Sequence, residues 1–264
     1  MRKNSVNLNG ITVSYNEKGK GSPIVLLHGF CGSNGYWDNV IKKLSEHYRV
    51  IALDLPGHGE SANLEGTGTI EDIADHIKDV LYYLNVPQVT MFGHSLGGYI
   101  TLAFAEKYIQ MVNGFSLIHS TAFPDSEEAK KGREAGVAKV KQEGVSAFID
   151  GLIPKLFSPD NVGKNKNDIK TAKEIGYTTS SQGAIKTLIA MKNRPDRNSV
   201  LESATIPVLL IAGKKDQIIP PEKTFSVSKS NIKHAFIENS GHMSMYENPS
   251  ELINQMMEFL KTLK

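Results

Sequence analysis

A chain of 264 residues with 40% apolar content can bury a full core, and its length allows one large domain or two small ones. With 30 basic and 28 acidic residues the formal charge is +2, too small a bias to hold a phosphate backbone, so nucleic-acid binding is excluded. Cys31 is the single cysteine, which rules out an internal disulfide and two-cysteine metal sites and favours a reducing compartment.

In chain order, residues 1–10 carry early basic side chains with no apolar stretch behind them, and the most apolar later runs, 24–27 and 208–211, are only strand-length. Neither a signal peptide nor a membrane span is expected, and the expected location is cytoplasmic. Alternation begins with Val6 and Leu8 before Asn9-Gly10 and Ile11, Val13 and Tyr15 after it, a pattern that predicts an antiparallel hairpin. The rhythm then changes to short apolar runs without polar alternation at 24–27, 50–53, 89–92, 115–118, 208–211 and 235–237. Such runs suit strands covered on both faces.

Helical patterns lie between several of them. Ile70, Ile73, Ala74, Ile77, Val80, Leu81 and Leu84 mark one helix face, with Thr69 and Asp72 spaced as a capping box. The last helix is announced by Asn248 as N-cap, Pro249 in the first turn and Glu251 as the N3 acid, before the stripe Leu252, Ile253, Met256, Met257 and Leu260. Strands alternating with helices predict an α/β class with a mostly parallel sheet and helices on both faces. From about Thr121 to Arg197 that rhythm stops, and helical patches such as Ala147, Phe148, Leu152, Ile153 and Leu156 take over. We read 121–197 as a helical lid inserted into a core made of 1–120 and 198–264, and the charge run 127–134 within it as a solvated helix face.

Gly93-His94-Ser95-Leu96-Gly97 fits G-x-S-x-G, a pattern that carries little weight alone among 23 glycines. Its context carries more, because Val89 to Phe92 reads as a buried strand and Leu96 to Tyr108 as a small-residue helix. Strand, tight turn and helix are what a nucleophile elbow needs, with Gly93 and Gly97 where side chains would collide and Ser95 projecting its hydroxyl. A serine hydroxyl needs a base to remove its proton. His242, in Asn239-Ser240-Gly241-His242 after the last strand run, lies at the sheet edge where open α/β folds place their sites. The base needs a carboxylate to fix its tautomer, and Asp216 directly follows the run 208–211.

These residues resemble the α/β-hydrolase superfamily, and within it the lidded esterase, lactonase and perhydrolase-like branch. The resemblance rests on Leu27-His28-Gly29-Phe30, the stretch Asp54-Leu55-Pro56-Gly57-His58-Gly59-Glu60-Ser61, the Ser95 elbow, Gly213 to Pro220, and Ser240-Gly241-His242, and it spans nearly the whole chain. It implies an oxyanion hole formed by the backbone N–H groups of Phe30 and Leu96. It also implies loop-bracing roles for His28, Asp54 and His58, and a lid-closing segment at Met191 to Asp196. His94 and Cys31 are expected to border the pocket. Some relatives carry the acid after the sixth strand, where Asp125 is the nearest carboxylate here, and Asp216 is preferred.

The function expected from these residues is a serine hydrolase cleaving a small or medium carboxylic ester or lactone through an acyl-enzyme. The alternatives are a slow-turnover signal sensor, or a thioesterase, C–C hydrolase, perhydrolase or hydroxynitrile lyase on the same scaffold. No cofactor and no metal is called for. The expected partner is a small ester-like molecule, and the oligomeric state is open.

Overall fold

The computed structural model of the chain describes residues 3–8, 10–66 and 68–263. It opens with the hairpin of β1 (Lys3–Leu8) and β2 (Ile11–Lys18), in register from Lys3 opposite Asn16 to Leu8 opposite Ile11. Gly10 turns the chain at φ +86°; its predicted turn partner Asn9 lies outside the described residues, as do Met1 and Arg2. There follow β3 (Pro23–Leu27), α1 (Asp38–Leu44), β4 (Arg49–Leu53), α2 (Ile70–Tyr83), β5 (Val89–His94), α3 (Leu96–Tyr108) and β6 (Val112–Ile118). Helices α4 (Glu127–Leu156), α5 (Lys166–Gly176), α6 (Ser181–Asn193) and α7 (Asn198–Ser203) stand between β6 and β7 (Val208–Gly213). The chain ends with α8 (Pro221–Thr224), β8 (Ile232–Ile237), α9 (Ser244–Glu247) and α10 (Pro249–Lys261).

Among the described residues eight strands join one sheet in the order β1-β2-β4-β3-β5-β6-β7-β8. The β1–β2 and β2–β4 pairs are antiparallel and the remaining neighbours parallel. Residues 24–27 and 208–211 are at most 1% exposed, which explains their lack of polar alternation: helices cover both faces of these strands. One layer contains α1 packed with α10, where Phe259 meets Phe92 of β5 edge-to-face, and another contains α2 packed with α3.

Local chemistry sets the helix ends. Thr69 N–H donates to Asp72 Oδ2 at 2.8 Å and Asp72 N–H to Thr69 Oγ1 at 3.1 Å, closing the capping box that starts α2. The buried face of α2 is Ile70, Ile73, Ala74, Ile77, Val80 and Leu81, while α10 buries Leu252, Met256, Phe259 and Leu260. Helix α4 is broken at Gly144, whose φ of +85° suits a residue without Cβ, so two arms meet there at an angle. Both arms contribute to what lies over the sheet edge.

Candidate active site

Every residue singled out for chemistry sits just beyond the C-terminal end of a strand: Phe30 after β3, Ser95 after β5, Asp216 after β7 and His242 after β8. At the β5–α3 junction the chain reverses so tightly that a Cβ on Gly93 would lie 2.3 Å from Gly97 O, and one on Gly97 2.4 Å from Leu27 O. Ser95 takes φ +50° and ψ −112°, a strained conformation for a residue with a side chain. Ser95 N–H donates to Ile118 O at 2.9 Å, and Ser120 Oγ donates to Ser95 O at 2.8 Å, so the strained turn is held from β6.

Asp216 and His242 meet through a 2.8 Å contact between Oδ2 and Nδ1. An ionised carboxylate only accepts, so Nδ1 carries a proton, and Nε2 is the nitrogen that holds the lone pair whenever the ring is neutral. The other oxygen, Oδ1, accepts from Ile218 N–H at 2.8 Å and Ile219 N–H at 3.0 Å. Burial alone would raise the Asp216 carboxyl, but its electrostatic interaction with the His242 ring and the hydrogen bonds outweigh it and hold the group well below the usual carboxylate range. His242 is 2% exposed, its carbonyl accepts from His94 Nε2 at 2.8 Å, and its N–H donates to Leu156 O at 2.8 Å. Among the described residues no hydrogen bond joins Ser95 Oγ to His242; both line the same cavity. Such bonds are commonly long in the unliganded state and tighten with substrate.

Two residues that the sequence reading passed over complete this cluster. His119 follows β6 in a left-handed conformation, φ +48°, and is fully buried. Its Nδ1 accepts from Gly213 N–H at 3.1 Å, which leaves the proton on Nε2, 2.7 Å from Ser244 Oγ, and places Nδ1 3.3 Å from Asp216 Oδ2. Burial lowers its pKa, so it packs against the carboxylate as a neutral ring. Glu247 Oε1 accepts from Ser158 N–H at 2.7 Å and Asn161 Nδ2 at 3.0 Å. Its Oε2 accepts from Gly241 N–H at 2.8 Å and Met243 N–H at 3.3 Å, tying the His242 loop to the end of α4. Ligand atoms of His119, Asp216 and His242 lie within 4.8 Å of one another, a spacing that suits a metal, yet all are already engaged in hydrogen bonds of the cluster.

The Phe30 and Leu96 amides, both in buried residues, donate no hydrogen bond among the described residues. Two buried donors without acceptors beside Ser95 form a place where negative charge is welcome. Around them Asp54 accepts from Asn34 N–H at 2.7 Å and Glu60 N–H at 3.1 Å, while His28 Nε2 accepts from Leu55 N–H at 2.9 Å. Burial lowers the pKa of His28 to about 4 and of His58 to about 3, so both brace their loops in the neutral form.

A cavity of about 410 Å³ opens over Ser95, walled by Phe30, Tyr36, His94, Tyr99 and Ile219 from the sheet side and by Arg133, Leu152, Leu156 and Met191 from α4 and α6. Two expectations change here, on Cys31 and on the charge run 127–134. Cys31 is buried outside the cavity wall rather than bordering it. Of the apolar residues in α4 and just after it, Leu152 and Leu156 face the cavity, whereas Phe148 packs edge-on against Phe30 and Phe157 against Tyr246. The charge run 127–134 is not wholly solvated: Arg133 turns inward, and its Nε lies 3.0 Å from Asp125 Oδ2. Asp125 Oδ1 accepts from Arg194 Nη1 at 2.6 Å, and the Arg194 guanidinium lies 3.9 Å over the Tyr99 ring. The Met191 to Asp196 segment is thereby pinned onto α3.

Residues 22–150 match the family model for the alpha/beta hydrolase fold. A thermophilic esterase from Thermogutta terrifontis, solved with malate bound, superposes with a TM-score of 0.93 at 27% identity, covering 100% of this chain and 99% of that one. The chain has the α/β-hydrolase fold. An enol-lactonase from Burkholderia xenovorans shares the hydrolase fold at a TM-score of 0.90 and 22% identity, covering 98% of this chain and all of that one. Over 97% of this hydrolase and 89% of the relative, it is 26% identical to the 2-hydroxy-6-oxo-6-(2'-aminophenyl)hexa-2,4-dienoic acid hydrolase of Metapseudomonas resinovorans. No helix among the described residues of this hydrolase is long and apolar enough to cross a membrane.

Proposed function

We propose that this hydrolase cleaves small or medium carboxylic esters or lactones through an acyl-enzyme on Ser95, beneath a lid formed by residues 121–197. The observation that carries the reading is the 2.8 Å contact of Asp216 with His242 Nδ1, which leaves a free Nε2 lone pair on the ring that shares a cavity with Ser95. In the first step Nε2 takes the Ser95 hydroxyl proton while Oγ bonds to the acyl carbon, and the carbonyl electrons become an oxyanion facing the Phe30 and Leu96 amides. Collapse breaks the bond to the alcohol oxygen, which leaves with the proton from His242. Water then gives a proton to Nε2 as its oxygen attacks the acyl carbon, and a second collapse returns the proton to Ser95 and frees the acid. Asp216 stays ionised throughout and stabilises the imidazolium that forms twice per cycle.

The test is covalent labelling. A fluorophosphonate should add one label per chain and abolish turnover of 4-nitrophenyl butyrate, and Ser95→Ala should remove both. Labelling or turnover that survives Ser95→Ala would refute the nucleophile.

A further inference from the structure

The cavity wall is electrically biased. Asp125, Arg133, Arg194 and Lys223 line it, three cations against one carboxylate, so positive charge is in excess. Arg194 is consumed inside the protein: its Nη1 bonds Asp125 and Met191 O, its Nη2 bonds Phe123 O, and its plane covers Tyr99. Arg133 is only half used. Its Nε is held by Asp125 at 3.0 Å, and among the described residues its two terminal nitrogens donate no hydrogen bond. Lys223 likewise has no acidic partner among the described residues.

The placement of these cations says what they face. Ser126, Ala129 and Arg133 are spaced three and four residues apart, so Arg133 shares the cavity-lining face of the first arm of α4. Asp125 reaches it only through Nε, its Oδ2 meeting Arg133 Nε at 3.0 Å and its Oδ1 turned to Arg194 Nη1 at 2.6 Å. A guanidinium fixed through Nε presents its remaining N–H groups in one plane, the geometry that a second carboxylate matches, and a nearby ammonium adds charge without demanding direction. Leu152 and Leu156 supply apolar wall for the carbon skeleton of the same ligand.

We infer that the substrate carries a carboxylate in addition to the bond it loses, gripped by the terminal nitrogens of Arg133 with Lys223 as the second cation. The inference rests on Ser95 as nucleophile and names the class of ester that the site prefers.

Matched pairs of esters test it. In one pair the acyl chain ends in a carboxylate or its neutral amide: 4-nitrophenyl hydrogen glutarate against 4-nitrophenyl 4-carbamoylbutanoate. In the other the alcohol carries the difference: the butyrate esters of 4-hydroxybenzoate and 4-hydroxybenzamide. The readout is the ratio of kcat/KM, anionic over neutral, which cancels general effects on the catalyst. At least one pair should give a ratio of ten or more, reduced by 0.5 M NaCl and by Arg133→Gln, and brought near one by Arg133→Gln with Lys223→Gln. Lys223 is exposed, so Lys223→Glu keeps the fold and should lower the ratio more than Lys223→Gln does. Ratios near one in both pairs, or a ratio that the double substitution leaves intact, overturn the subsite while Ser95-dependent turnover stands. Turnover that persists in Ser95→Ala overturns the hydrolase reading instead, and absence of turnover on every ester overturns both.

Discussion

Replacing Asp216 by Asn changes a single atom, and the neighbours dictate how the new side chain sits. Ile218 and Ile219 present only N–H donors to Oδ1, at 2.8 and 3.0 Å, so that position must stay an oxygen. The new NH2 is therefore forced into the Oδ2 position, 2.8 Å from His242 Nδ1. An amide NH2 donates, so Nδ1 must become the acceptor and the ring proton moves to Nε2, the nitrogen needed as base. The wrong tautomer costs about 10⁴ in kcat in the serine-protease template. That equals about 5 kcal/mol of transition-state stabilisation. Steady-state turnover of 4-nitrophenyl butyrate, with the rate of fluorophosphonate labelling beside it, should show both falling together while the melting temperature changes little. A variant that keeps more than a tenth of the activity would refute the assignment of Asp216 and the tautomer argument with it.

Asp125→Asn should spare the chemistry but not the fold, because it leaves the buried Arg194 and the half-buried Arg133 short of a counter-charge. A loss of about 3 kcal/mol is expected from denaturant unfolding, and an unchanged stability would contradict the pairing. Stability should also fall on acidification. An unfolded histidine binds a proton near pH 6.5 while folded His28 and His58 resist it down to about 4 and about 3, so the unfolded chain takes up more protons as pH drops. Their contribution is complete above pH 6.5 and fades below it, by about 2 kcal/mol for each by pH 5; a flat unfolding free energy from pH 7.5 to 5 would count against their burial. Leu156→Ala, on the cavity wall, should shift the preferred acyl length in a series of 4-nitrophenyl esters. Phe157→Ala, packed against Tyr246, should cost about 3 kcal/mol of stability and leave that preference unmoved; the opposite pattern would reverse their assignment.

The residues that were legible in the sequence share a reason. The elbow shows because Gly93 and Gly97 have no room for a side chain, and five of the parallel strands, β3 to β7, show because burial on both faces erases polar alternation; β8 lies at the sheet edge with Phe236 exposed, so the expectation that 235–237 is covered on both faces does not hold there. Asp216 and His242 were found by asking which polar residue follows a strand at the sheet edge. His119 meets the same criterion one residue after β6, and was passed over because only a carboxylate was sought there. Arg133 was hidden for another reason: its partner Asp125 precedes the helix, so nothing in the periodicity of α4 distinguishes an inward arginine from its solvated neighbours. Glu247 left no trace at all, since it binds mostly backbone N–H groups, which every sequence possesses.

The bonds from Glu247 to Ser158 and Gly241, with that from His242 N–H to Leu156 O, stitch the second arm of α4 to the loop that carries the imidazole. Space for a ligand and alignment of the His242 ring are consequently one mechanical quantity. A molecule small enough for the existing cavity leaves the stitching closed and finds the ring seated. A bulkier one that wedges the second arm outward frees the His242 backbone as it makes room for itself. Size discrimination in such an arrangement falls on the rate of the bound complex as well as on its formation: an oversized ester would bind, occupy the site, and disarm it.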